Sequence, residues 1–124
     1  MALRGIRGAT TVDANSADEI LKETEFLLKN LIEKNNVDST DIASIFFSLT
    51  TDLDAQFPAL AARKMGLVDV PLLCLNEINV QNSIKRCIRI LIHVNTDASQ
   101  KDIHHIYLKE AISLRPDKSL NAIK

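Results

Sequence analysis

The sequence predicts an α/β fold, a mixed β-sheet with helices packed on one face, and three observations carry that prediction. Residues 17–34 place apolar side chains at helical spacing. Residues 87–94 alternate with period two, Ile88, Ile90, Ile92 and Val94 on one side and Cys87, Arg89, Leu91 and His93 on the other. The third is length: 124 residues, against roughly 150 for a typical domain, make residues 1–124 a single domain.

Taken in order, residues 2–12 read as a strand, rich in β-branched residues, with glycines that weaken a helix. Gly5 and Gly8 suggest a bulge or a close approach, and Arg4 and Arg7 face opposite ways unless a bulge intervenes. Ser16-Ala17-Asp18-Glu19 has the form of a capping box. The helix it opens carries Ile20, Leu21, Leu27, Leu28, Leu31 and Ile32 on one side and ends at Asn35-Asn36. Ile42–Thr50 is short and rich in branched and aromatic residues, a second and well-buried strand. Asp52 or Asp54 can then cap a short helix with Pro58 near its first turn and a stop at Gly66.

A third strand is expected at about residues 70–75 and a fourth within 83–95. Ser99 can cap a short helix, an extended segment follows at about 111–114, and residues 119–124 lack a periodic face, as a mobile tail would. The resulting order is β-α-β-α-β-β-α-β. A small sheet covered on one side leaves its other face to solvent or to association. Arg89 and His93 argue against a fully apolar layer there, and a homo-oligomer with pockets at subunit contacts fits both facts. Arg89 itself reads equally as a solvated arginine or as a charge set to meet an anion in a partly buried pocket, and periodicity leaves both open.

Composition narrows the function classes. Fifteen Lys+Arg balance 16 Asp+Glu, and four Phe, one Tyr and no Trp offer few platforms for bases, so nucleic acid is not an expected partner. No apolar run approaches the ~20 residues that cross a bilayer, and the first residues lack the apolar core of a signal peptide. Cys74 and Cys87 form no CxxC pair, as in reduced cytoplasmic proteins, and the adjacent His104 and His105 have poor spacing for a metal. A cytoplasmic protein with no metal is expected.

Six ordered segments carry a more specific message: Arg4-Gly5-Ile6-Arg7-Gly8-Ala9-Thr10-Thr11-Val12; Phe57-Pro58-Ala59 with Arg63; Val70-Pro71 followed by Cys74 and Glu77; Lys85-Arg86-Cys87-Ile88-Arg89; His105-Ile106-Tyr107-Leu108; and Leu114-Arg115-Pro116-Asp117. Together they resemble the monofunctional trimeric chorismate mutases of the α/β pseudo-barrel class, over about residues 3–119. The resemblance implies conversion of chorismate to prephenate, on the route to phenylalanine and tyrosine, without a cofactor, by a homotrimer with active sites between subunits. The reaction is a pericyclic Claisen rearrangement that needs no proton transfer. It requires an oriented enolpyruvyl arm and stabilisation of negative charge on the breaking ether oxygen.

By the same resemblance, Arg89 is the cation at the ether oxygen and Arg7 with Tyr107 holds the side-chain carboxylate. Glu77, with Cys74 beside it, accepts the ring hydroxyl. Phe57 and Leu114 form apolar walls, Ala59 contributes through its neighbourhood, and Arg63 and Arg115 attract the dianion at the pocket mouth. Departures are Leu60 where relatives commonly carry a lysine, Leu73 in place of a more polar residue, and a segment one residue shorter between Arg63 and Cys74. The competing reading is a non-catalytic trimeric module that binds a small carboxylated metabolite, keeping the arginines without the need for a cation at an ether oxygen.

Overall fold

A computed structural model describes residues 1–115; the expected tail at 119–124 and the Pro116-Asp117 end of the last segment lie outside them. The strands are β1 (Ala2–Thr11), β2 (Ile42–Leu49), β3 (Leu72–Asn76), β4 (Cys87–Thr96) and β5 (Ile106–Tyr107), and the helices are α1 (Ala17–Lys34) and α2 (Ala59–Lys64). Three 3-10 turns occupy Ser39–Asp41, Gln100–Asp102 and Lys109–Leu114. The sheet order is β3-β2-β4-β1-β5. β4 pairs antiparallel with β1 and β2, whereas β2–β3 and β1–β5 are parallel.

Local chemistry explains where α1 begins and ends. Ser16 Oγ accepts from the Glu19 N–H at 3.1 Å, one half of a capping box. The other half is diverted, because the Glu19 carboxylate accepts from the Asp13 N–H at 2.9 Å. At the far end, Asn35 donates to the Leu31 and His104 carbonyls and accepts from the His104 N–H. The helix stop is therefore also a tie to the segment before β5.

α1 buries Ile20, Leu27, Leu28 and Leu31, and the last three pack on one face of the sheet against Ile6, Ile45, Phe47, Ile90 and Ile92. Burying each such side chain is worth roughly 1.5–3 kcal/mol. Gly8 lies where α1 comes closest: a Cβ there would meet Leu27 Cδ1, Leu31 Cδ1 and the Ile106 carbonyl oxygen, each at 3.0 Å. The β1–β4 register runs without a bulge, so of the two glycine explanations it is the close approach that applies, and Arg4 and Arg7 point to opposite faces. The irregularity in β2 lies between Ile42 and Ser44. It lets Ile42 join the core while Ser44 sits across from His93.

Three expectations need correction. The short helix starts at Ala59 with Pro58 as its N-cap residue, not at an aspartate; Asp52 bonds to Arg86 and Asp54 to Asn15 instead. Residues 111–114 are not extended but part of a 3-10 turn, and the last strand is the two-residue β5 before it. Ser99 precedes its turn without capping it, because its hydroxyl donates to Asp102 at 2.7 Å.

The opposite face of the sheet is open. It presents Arg7, Phe46, Ser48, Arg89, Leu91 and His93, with Leu73 and Leu75 still 51% and 48% exposed. Its β5 end is covered by the Lys109–Leu114 turn, where Ala9, Cys87, Tyr107 and Ala111 form a small buried cluster with Leu114 against it.

Candidate active site

Strand alternation on β4 sends Arg89 to the open face, across from Ala9 on β1 and Ser48 on β2. Glu77 follows the last residue of β3, where its N–H donates to the Leu49 carbonyl at 2.8 Å. That bond turns the Glu77 carboxylate toward β4, with Oε1 3.0 Å from Arg89 Nε. Ser48 donates its hydroxyl hydrogen bond to the same oxygen. The two charged side chains are 27% and 20% exposed, so the pair is partly desolvated.

The contact is an ion pair more than a hydrogen bond: the Arg89 Nε–H is buried and not aligned with the carboxylate, and makes no hydrogen bond. A guanidinium carries four further N–H donors, so Arg89 remains equipped to bind an anion. Cys87 lies one turn of the pleat from Arg89 on the same face. Burial, offset in part by the Arg89 charge and reinforced by Glu77, pushes its thiol up to about 11. It therefore stays neutral and leaves the Arg89 charge uncompensated by a thiolate.

On the neighbouring strand, Arg7 sits across from Leu91, with its guanidinium carbon 5.9 Å from the centroid of the Tyr107 ring. Its backbone N–H donates to His105 Nδ1 at 3.0 Å, so a side chain continues the short β1–β5 pairing beneath it. Arg7 and Arg89 line one groove of about 550 Å³, floored by Phe46, Ser48, Leu91 and His93. This is room for a small dicarboxylate.

The remaining expected residues fall elsewhere in the chain. Cys74 pairs with Phe47 and is directed to the helix side of the sheet, where with the 69% exposed Phe57 it lines a second cavity of about 340 Å³. Leu75 touches both cavities. Ala59 is 3% exposed within the main core, so its own methyl group faces no open space. Arg63 is exposed on α2, Leu114 packs beside Tyr107, and Arg115 is exposed just after it. One chain thus gathers Arg7, Glu77, Arg89, Tyr107 and Leu114 at one end of the open face and leaves Phe57, Cys74 and Arg63 apart.

Ser48 was not among the expected residues. The available signal was its place in Ser44-Ile45-Phe46-Phe47-Ser48, where the serines alternate away from Ile45 and Phe47. Among the described residues, no group of three His, Cys, Asp or Glu side chains is disposed to hold a metal ion, and no helix is long and apolar enough to cross a membrane.

Comparison with known proteins gives the family. The profile of the family described as Chorismate mutase type I matches residues 3–118. The chain is 45% identical over 121 residues to Chorismate mutase AroH of Bacillus subtilis, spanning 97% of this chain and 95% of that protein. It is 44% identical over 116 residues to Chorismate mutase AroH of Thermus thermophilus, spanning 93% and 95%. Among solved structures, a chorismate mutase from Clostridium thermocellum superposes with a TM-score of 0.87 at 55% identity, covering 88% of this chain and 97% of that one. With the profile spanning nearly the whole chain and the sheet matching a solved member, the chain belongs to the chorismate mutase type I family.

Proposed function

We propose that the protein rearranges chorismate to prephenate in the groove between Arg7 and Arg89, acting without a cofactor as a cytoplasmic homotrimer in aromatic amino acid biosynthesis. The observation that carries the assignment of the site is the groove lined by both Arg7 and Arg89, with Glu77 paired to Arg89 and the Tyr107 ring beside Arg7. As the C–O bond of the substrate breaks, negative charge grows on the ether oxygen. A guanidinium held in place before reaction meets that charge with no reorganisation cost, which lowers the barrier more than it strengthens ground-state binding.

The other residues orient. Arg7, stacked on Tyr107, holds the side-chain carboxylate, and its fork geometry fixes the enolpyruvyl arm over the ring. Glu77 keeps the Arg89 guanidinium in place and offers its second oxygen to the ring hydroxyl. No proton changes hands, so neither residue acts as an acid or a base. Leu114 walls the groove, and Arg115 and Arg63 draw the dianion toward its mouth.

Assembly completes the pocket. Phe57 and Cys74 line a cavity that one chain keeps apart from the Arg89 groove, and the open face exposes Leu73 and Leu75. A neighbouring chain presenting the Phe57 and Cys74 side to the Arg89 side would join the two halves and cover those leucines. Purified protein should remove the ultraviolet absorbance of chorismate and yield prephenate. A folded preparation no faster than buffer would refute the assignment.

A further inference from the structure

Arg86 is the residue through which the loop from Glu77 enters β4, and its φ is +48°. A side chain with a Cβ adopts that left-handed conformation only when its surroundings enforce it. Asn82, in the same loop at φ +65°, is a residue type that tolerates it; arginine is not. The group bonded to its N–H is a carboxylate that the proposed reaction does not use. Asp52 presents both oxygens to the Arg86 N–H, at 2.9 and 3.2 Å.

Further bonds spread from that point. Thr50 Oγ1 donates to Asp52 Oδ1 at 2.5 Å and accepts from the Cys87 N–H at 2.9 Å. The Thr50 N–H donates to the Cys87 carbonyl at 3.1 Å, and Val12 N–H to the Arg86 carbonyl at 3.0 Å. The Arg86 Nε–H returns a bond to the Val12 carbonyl at 3.2 Å. The ends of β1 and β2 are thereby fastened to the first residues of β4, with the Asp52 carboxylate as the charged acceptor among neutral groups.

Arg89 lies three residues further along the same strand, and the direction in which β4 starts decides how its guanidinium meets the groove. We infer that Asp52 is a positioning residue for Arg89, acting by holding Arg86 in the left-handed conformation. The inference rests on the reading of Arg89 as the cation at the ether oxygen. A shift of about 1 Å in such a group can cost on the order of 100-fold in rate, so a carboxylate outside the groove can govern turnover.

The test is a cycle between positions 52 and 86, with kcat and KM for chorismate measured per folded protein by circular dichroism, at a temperature where every variant is folded. Glycine adopts positive φ without the Cβ penalty, so Arg86→Gly should make the clamp less necessary. Asp52→Ala should lower kcat about tenfold in the parent with KM changed less than threefold, and should cost less than threefold in the Arg86→Gly background. Asp52→Asn, which keeps an acceptor oxygen, should retain most of the turnover. An equal loss from Asp52→Ala in both backgrounds, or no loss in the parent, would overturn the inference. Arg89→Ala is run alongside: if it turns over like the parent, the reading of Arg89 fails and the role of Asp52 fails with it, whereas a collapse of Arg89→Ala with an unaffected Asp52→Ala refutes only the latter.

Discussion

The two faces of the central strand β4 solve different problems with alternate residues. Ile88, Ile90, Ile92 and Val94 are all buried and, Ile88 apart, share the main core with α1 and β2. Arg89, Leu91 and His93 are half-buried on the side that no α-helix covers among the described residues. The first face draws its stability from apolar area and tight fit. On the second, an arginine and a glutamate are held partly out of water, an arrangement that contributes little to stability and is suited to meeting an anion. A strand with period two can therefore serve as core and active site at once, provided that its register is fixed.

Variants on the two faces should separate these roles. The largest effect is expected on the covered face, where Phe47→Ala removes a fully buried ring and should cost about 3–5 kcal/mol of stability. Denaturant unfolding would measure it, with turnover per folded molecule nearly unchanged. On the open face, Glu77→Gln keeps an acceptor for the ring hydroxyl but removes the charge that holds Arg89. It should lower kcat roughly tenfold, about 1.4 kcal/mol of barrier, with a small change in melting temperature. At the edge of the covered face, Ser16→Ala deletes the cap of α1 and should cost about 1 kcal/mol of stability with no change in kcat.

A pH dependence belongs to the end of the open face that the Lys109–Leu114 turn covers. Burial raises the Cys87 thiol to about 11 in the folded chain, above its value in an unfolded one. The folded state therefore holds the proton more tightly, and this contribution is fully present below the unfolded value and lost as pH rises through about 11. Melting temperatures from pH 8 to 11 should fall less steeply for Cys87→Ala than for the parent. Parallel curves would show that Cys87 adds nothing to the alkaline loss.

Legibility in the sequence followed the range of the interactions. α1 could be read because its stripe and its Ser16 cap are local, and β4 because alternation declares both faces within ten residues. Residues 111–114 read as extended in the sequence but belong to the turn at Lys109–Leu114: it is too short to display a period, and what fixes it is the packing of Ala111 and Leu114 against Tyr107 and Cys87. Ser48 on Glu77, Asp52 on Arg86 and His105 beneath Arg7 pair residues 29, 34 and 98 positions apart. No spacing rule reaches that far. The resemblance supplied the core residues Arg7, Glu77, Arg89 and Tyr107, which the fold brings to one region. It could not reveal that Cys74 and Phe57 open onto a different cavity of the same chain.

The central claim is that the open face owes its chemistry to one arginine. Chorismate turnover by Arg89→Ala, measured beside its thermal stability, tests it most directly. The account predicts a fall in kcat of at least about 100-fold, roughly 3 kcal/mol of lost transition-state stabilisation, with a melting temperature close to that of the parent. Turnover within a few-fold of the parent, from a folded Arg89→Ala protein, would contradict it.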